Sequence, residues 1–152
     1  MAGAGRFRAN VHLYGFRRMD PLPRKMRKYM TLKQREKELI AAMKRAAAPM
    51  KRAMGKLAPK RTGALSRSYA SEKLKKAPPG TIGIRVGAVS GEGIWKGESF
   101  AKAGWRDHFQ ELGTVNHMAQ PHVRIAIQTE MPTYRQLLSV ELARILKKLN
   151  SL

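Results

Sequence analysis

An apolar stripe that one proline interrupts and a second proline ends constrains the fold of this chain more than any other feature. Its residues recur at spacings of three and four, which is typical of one buried helix face. They are Leu39, Met43, Ala46, Met50, Met54 and Leu57. Thr31 and Gln34 fit a capping box and predict the helix start. Because an internal proline loses a hydrogen bond and clashes with the preceding turn, Pro49 predicts a kink or break after Ala46, and Pro59 predicts the end.

The region after this helix has the period-two pattern of strands. Residues 64–76 and 81–89 are predicted strands, and in the second one Ile82, Ile84 and Val86 alternate with glycine and arginine. The connection between them, Ala-Pro-Pro-Gly, has turn chemistry and predicts a hairpin. A further short strand is predicted at Asn10–Tyr14. Residues 90–104 are rich in glycine, contain Trp95, and are predicted to form a surface loop.

Two more helical segments complete the predicted fold. A short helical turn over Trp105–Leu112 ends at Gly113, where a residue without Cβ can adopt a left-handed cap. A second capping box, Thr133 with Gln136, predicts the start of an amphipathic helix that continues to the C-terminus. The sequence therefore predicts an α+β fold. A small, mostly antiparallel sheet is packed by the long first helix and by the C-terminal helix, in one domain over residues 31–152.

Positive charge is concentrated in the first half of the chain. The net charge is +21, with 22 Lys and Arg against 4 Asp and Glu in residues 1–76, and 9 against 6 in residues 77–152. Residues 1–30 are predicted to be an extended basic arm with too little apolar surface to fold alone. We expect it to order on neighbouring protein, through anchors such as Leu13, or on DNA. Candidate interface or DNA-facing residues are Arg17, Arg18, Arg24, Lys25, Arg27 and Lys28 in the arm, with Trp95 and Asp107 outside it.

The sequence offers little that is typical of catalysis. It has no cysteine, no phosphate-binding loop and no nucleophile elbow. His117 and His122 lack the further converging ligands that a metal site needs, so neither a metal nor a cofactor is predicted. Asp107 and Glu111 lie four residues apart on one helical turn. They are either paired carboxylates for acid–base work or, as we favour, an acidic face that meets a basic neighbour. We predict that the chain is not an enzyme.

Two segments carry a resemblance to a known family. The first runs Ala-Pro-Lys-Arg-Thr-Gly-Ala-Leu from residue 58, and the second runs Phe-Gln-Glu-Leu-Gly-Thr from residue 109, with Ala-Gln-Pro-His from residue 119. In this order and spacing they resemble the gp-ten-type tail-component family of lambda-like phages, also called neck or tail-completion proteins. The motif positions are Pro59, Thr62, Gly63, Leu65, Phe109, Glu111, Gly113, Thr114 and Pro121. The chain departs from the family pattern at Leu112, at Ile125 and in its arginine-rich arm.

The resemblance implies a structural virion protein that is made in the host cytoplasm and joins the phage head–tail neck. Such a protein forms a homo-oligomeric ring between the head connector and the tail tube, with six copies favoured and twelve possible. Its other partners are the neighbouring connector and tail proteins, and contact with packaged DNA is possible. The alternative that the charge leaves open is a basic nucleic-acid-binding protein of ribosomal or nucleoid type.

Overall fold

A computed structural model describes residues 10–16, 24, 26–27, 30–60, 63–75, 77–78, 81–95 and 98–151. The helices are α1 (Leu32–Ala46), α2 (Ala48–Leu57), α3 (Ala64–Arg67), α4 (Asp107–Leu112) and α5 (His122–Asn150). The strands are β1 (Asn10–Phe16), β2 (Tyr69–Lys73), β3 (Ile82–Ala88), β4 (Ser90–Trp95) and β5 (Glu98–Ala103). A 3-10 turn at Gly104–Arg106 leads into α4. The α+β prediction is confirmed. No helix in these described ranges is long and apolar enough to cross a membrane.

The main sheet has three antiparallel strands in the order β1-β3-β2. Leu13 pairs with Ile84, and Tyr69 pairs with Ala88, so β3 lies at the centre. The strand predicted from the alternation of its residues is confirmed over Ile82–Ala88. Leu13, Ile84 and Val86 are buried on the face that α1 covers. The predicted hairpin between β2 and β3 is confirmed.

The proline signals place the first two helices correctly. Both hydrogen bonds of the Thr31–Gln34 capping box are present, at 2.9 and 3.3 Å. The predicted break is confirmed, since α1 ends at Ala46 and α2 begins at Ala48. Pro49 then lies in the first turn of α2, where its missing N–H costs no helical hydrogen bond. Ala58 turns extended just before Pro59, as the residue before a proline tends to do.

The first predicted strand, residues 64–76, is wrong at its start. Gly63 has a φ of +68° and α3 follows it, so β2 begins only at Tyr69. The Ser68 hydroxyl donates to the Ala64 carbonyl at 2.6 Å, which closes this turn of helix. A local hydrogen bond of this kind competes with strand pairing, which explains the difference.

The predicted loop over residues 90–104 is also wrong. Ser90 pairs with Ala103 and Trp95 pairs with Glu98, so β4 and β5 form a separate two-stranded sheet. Gly91 and Gly93 are poor strand formers, and they hide the alternation that would have marked the strand. Pairing between the two strands decides the conformation instead.

The last helix begins earlier than predicted, since its N-cap is Pro121 rather than Thr133, twelve residues later. Helix α5 begins at His122, and Pro132 lies inside it. Val123 and Ala126 are buried in the core, and their burial outweighs the local capping signal at Thr133. Both α1 and α2 pack against α5, with Met43, Met50 and Met54 fully buried among them.

Part of the segment predicted to be an arm belongs to the fold. Strand β1 pairs with β3, and Leu13 is buried in the core rather than available to a neighbouring subunit. Met26 is fully buried as well. Val11 and Met30 are partly buried against the same core, so several apolar side chains and the pairing with β3 attach this segment. Arg24 and Arg27 are exposed, while Arg17, Arg18, Lys25 and Lys28 lie outside the described residues.

Candidate functional site

Four buried polar side chains meet where β2, α4 and α5 converge. Tyr69 begins β2, Asp107 and Glu111 lie on α4, and His122 begins α5. The Tyr69 hydroxyl donates to Asp107 Oδ1 at 2.5 Å and lies 2.6 Å from His122 Nε2. Asp107 Oδ1 is 3.0 Å from the same nitrogen. Each of the four residues is less than 9% exposed, so they form one network inside the protein.

The surroundings of His122 favour the protonated imidazole. Burial by itself lowers the pKa, but the hydrogen bond to Asp107, the hydrogen bond to the Gln120 carbonyl and the charges of Asp107 and Glu111 outweigh it, so the pKa of His122 is raised. In that form Nδ1 donates to the Gln120 carbonyl at 2.8 Å and Nε2 donates toward Asp107 and Tyr69. Burial, together with the negative charge of Asp107, strongly raises the pKa of Tyr69, which therefore stays a phenol.

Glu111 caps the start of α5 from another helix. Its Oε2 accepts from the Val123 N–H at 2.8 Å, and its Oε1 accepts from the Arg124 N–H at 3.0 Å. These amides are among the donors that a helix N-terminus leaves without partners, and a carboxylate there also meets the positive end of the helix dipole. Glu111 Oε2 lies 3.6 Å from His122 Nδ1 as well. The cap joins α4 to α5 through two hydrogen bonds.

Both predicted roles for Asp107 and Glu111 need correction. They are 2% and 6% exposed, so they do not form an acidic face for a basic neighbour. Nor do they act as a carboxylate pair, because one binds Tyr69 and His122 while the other caps α5. A general acid or base must come within about 3 Å of its substrate, and these carboxylates are enclosed by the protein. Among the described residues no group of three His, Asp or Glu side chains could hold a metal ion.

The segment that connects α4 to α5, residues 113–121, is closely packed next to the network. Gly113 ends α4 with a φ of +77°, and an added Cβ would lie 2.8 Å from the Ala119 nitrogen, so a side chain does not fit. Thr114 and His117 form an isolated bridge, and the Gln120 N–H donates to the Gln110 carbonyl at 2.7 Å. The connection is thereby folded back on α4.

Large apolar side chains are exposed on this closed connection and the helices that flank it. Of the eight that are exposed in the described part of the chain, five lie between residues 109 and 125. They are Phe109, Leu112, Val115, Met118 and Ile125, and we refer to them as the apolar patch. Val115 and Met118 are 103% and 86% exposed. Exposed apolar side chains that form a contiguous patch are typical of protein contact sites, so this segment is the candidate for one.

The remaining motif residues fall into structural positions. Leu65 is buried, Gly63 and Gly113 have positive φ, and Pro121 directly precedes α5. Thr114 is exposed, and Thr62 and the Trp95 side chain lie outside the described residues. The network residues that sequence reasoning missed are Tyr69 and His122. The available signal was the histidine directly after Pro121, at the start of a helix.

Comparisons with known proteins found no match for this chain. No protein-family model matches this chain, and no curated protein or solved structure matches it.

Proposed function

We propose that this chain is a structural subunit of the head–tail neck of a long-tailed phage. In this proposal it forms a closed homo-oligomeric ring between the head connector and the tail tube, after synthesis in the host cytoplasm. The observation that carries the proposal is the apolar patch. A subunit whose apolar side chains are concentrated on one rigid segment is suited to burying them against another copy.

The network beneath the patch supports an assembly role. Because Glu111 and His122 fix α4 against α5, the apolar patch is held in one arrangement before any partner arrives. Association then loses less conformational entropy than it would on a mobile loop. The motifs that carry the family resemblance coincide with this region, since Gly113 closes the connection and Pro121 precedes α5.

The buried network also supports a role without catalysis. A reactive group must reach a substrate, whereas Asp107 and His122 are 2% and 4% exposed and are bonded to each other. The hydrogen bonds of Asp107 to Tyr69 and His122 hold β2, α4 and α5 together. A ring subunit needs such attachment, because a ring closes only when every interface has the same geometry.

Charge substitution in the apolar patch tests the proposal. Leu112→Glu places a carboxylate in the patch, and Val140→Glu is the matched control because Val140 is as exposed (60% against 59%) and lies far along α5. Native mass spectrometry and class averages of virions should show a ring for the unaltered chain, with six copies favoured over twelve. Leu112→Glu should abolish it and Val140→Glu should not. A chain that stays monomeric in the mature particle contradicts the proposal.

The alternative, a basic nucleic-acid-binding protein of ribosomal or nucleoid type, is favoured by the net charge of +21. Salt separates the two functions. Phosphate binding weakens steeply as salt rises, whereas a ring held by buried apolar area does not. Ring assembly and nucleic-acid affinity, both measured across a range of salt concentrations, therefore distinguish the two functions.

A further inference from the structure

A concave basic pocket lies on the side of α2. It has a volume of about 310 Å³ and is lined by Lys51, Arg52, Gly55, Lys56, Lys60, Ser66 and Tyr69. We refer to it as the α2 pocket. Among its lining residues the Ser66 hydroxyl donates to the Gly55 carbonyl at 2.6 Å, and an added Cβ at Gly55 would lie 3.0 Å from the Ser66 carbonyl oxygen. The absence of a side chain at Gly55 therefore lets α2 and α3 approach closely.

The four cations of the α2 pocket are not neutralised within the described part of the protein. Lys51, Arg52, Lys56 and Lys60 form no ion pair with any described residue, and the pocket lining contains no carboxylate. A second basic pocket, on α1, provides a comparison. It is lined by Lys33, Glu36, Lys37, Ile40, Ala41, Lys44 and Lys73. There Glu36 pairs with Lys73 at 2.6 Å, so part of the charge is already balanced.

We propose that the α2 pocket binds phosphate groups of a nucleic-acid backbone, with duplex DNA as the ligand. Four positive groups around one concave space attract a polyanion without reading its sequence, because phosphate contact requires charge and reach alone. Arg52 adds a planar guanidinium that can donate two parallel hydrogen bonds to one phosphate. The site is separate from the apolar patch, and it does not depend on the chain closing into a ring.

The acidic residues of the chain argue against a second copy as the occupant. The whole sequence has ten of them. Asp107 and Glu111 are buried, and four others pair with the chain's own cations, namely Glu36, Glu38, Glu72 and Glu141. In the described part only Glu130 is left without such a partner, while the side chains of Asp20, Glu92 and Glu98 lie outside it. One described carboxylate cannot balance four cations, so an external polyanion is favoured.

Two matched double variants of the full chain test the proposal. Arg52→Gln with Lys56→Gln removes two exposed charges, four residues apart, from the α2 pocket. Lys33→Gln with Lys37→Gln removes two exposed charges, also four residues apart, from the α1 pocket. Fluorescence anisotropy with a labelled duplex of about 30 base pairs gives the affinity between about 50 and 200 mM salt. Circular dichroism confirms that both variants fold.

The α2 variant should bind DNA on the order of tenfold more weakly, to the same extent for unrelated sequences, and lower the salt slope by about two. The α1 variant should change both quantities much less. Equal losses of DNA affinity in the two variants would mean that DNA responds to the overall positive charge rather than to the α2 pocket. This result would overturn the proposal. Unchanged DNA binding with lost attachment to neck proteins would identify an acidic protein surface as the occupant and overturn it too. The ring mass is measured separately, so a failure to form rings contradicts the neck role alone.

Discussion

The hydroxyl of Tyr69, in the first residue of β2, lies 2.6 Å from Nε2 of His122, in the first residue of α5. The two rings meet edge to face, with centroids 6.2 Å apart. This contact joins the main sheet to the long helix across 53 positions of sequence. Asp107 accepts from the same hydroxyl, so the sheet, α4 and α5 meet at one hydrogen-bonded point.

Removing that hydroxyl should destabilise the protein. Tyr69→Phe keeps the ring but withdraws the donor from Asp107 Oδ1, while Asp107 Oδ2 already has no hydrogen bond within the described structure. Asp107 Oδ1 then keeps only His122 Nε2 as a donor, and the loss of one hydrogen bond typically costs about 0.5–1.5 kcal/mol. The free energy of unfolding in urea measures the loss. Tyr14→Phe is the control, since Tyr14 is 51% exposed on β1, and it should leave that free energy unchanged. Equal behaviour of the two variants would show that the network contributes nothing.

Stability should fall as the pH rises, because the pKa of folded His122 is raised. Below the unfolded pKa of about 6.5, both states carry the proton and the stabilisation from His122 is fully present. At higher pH the unfolded chain releases its proton first, so stability decreases until the pH has passed the folded pKa. Unfolding free energies measured from about pH 5.5 to 9 follow this change.

Two histidine variants assign the pH dependence. His122→Gln should remove most of it and lower stability at acidic pH. His12→Gln should retain it, because His12 is exposed on β1. A pH profile that His122→Gln leaves intact would assign the titration to another group.

Gly63 should resist substitution by a β-branched residue. Its φ of +68° lies in the left-handed region that such residues avoid, so Gly63→Val should cost about 1–3 kcal/mol. Gly63→Asn should cost less, since asparagine tolerates this conformation. Thermal midpoints of the two variants compare these costs. Similar midpoints for both would attribute the cost to the new side chain, which also meets Arg67 Nη1 at 2.7 Å, rather than to the backbone.

The N-terminal segment should contribute to folding as well as to any contact it makes with partners. Deleting residues 2–28 removes β1 and the buried Met26, so the remaining chain should be strongly destabilised. Leu13→Ala tests the same point with one substitution and should cost about 2–5 kcal/mol. Val140→Ala, at an exposed position of α5, should cost far less. A deletion variant with an unchanged thermal midpoint would contradict the packing of this segment.

Sequence reasoning succeeds where short-range chemistry decides the structure. The Thr31–Gln34 box and the break before Pro49 each depend on residues within a few positions. The alternation in β3 is equally local, because it indicates a strand whichever strands pair with it. These features were predicted correctly.

The errors arise where contacts between distant residues decide the structure. The start of α5 is fixed by Glu111 on another helix and by burial of Val123, neither of which the local sequence reveals. The spacing of Asp107 and Glu111 correctly placed them on one helical turn. It gave no indication that the turn faces inward, since His122 and Tyr69 approach from elsewhere in the chain.

The pairing of β1 with β3 places a timing constraint on synthesis. Val11 pairs with Val86, which the ribosome adds 75 positions later. At about 5–20 residues per second, β1 waits roughly 4–15 s outside the ribosome before its partner strand exists. During that interval its backbone donors and acceptors are open to other nascent chains. The dense positive charge of the first half of the chain makes neighbouring copies repel one another, and so protects this unpaired strand until the sheet can close.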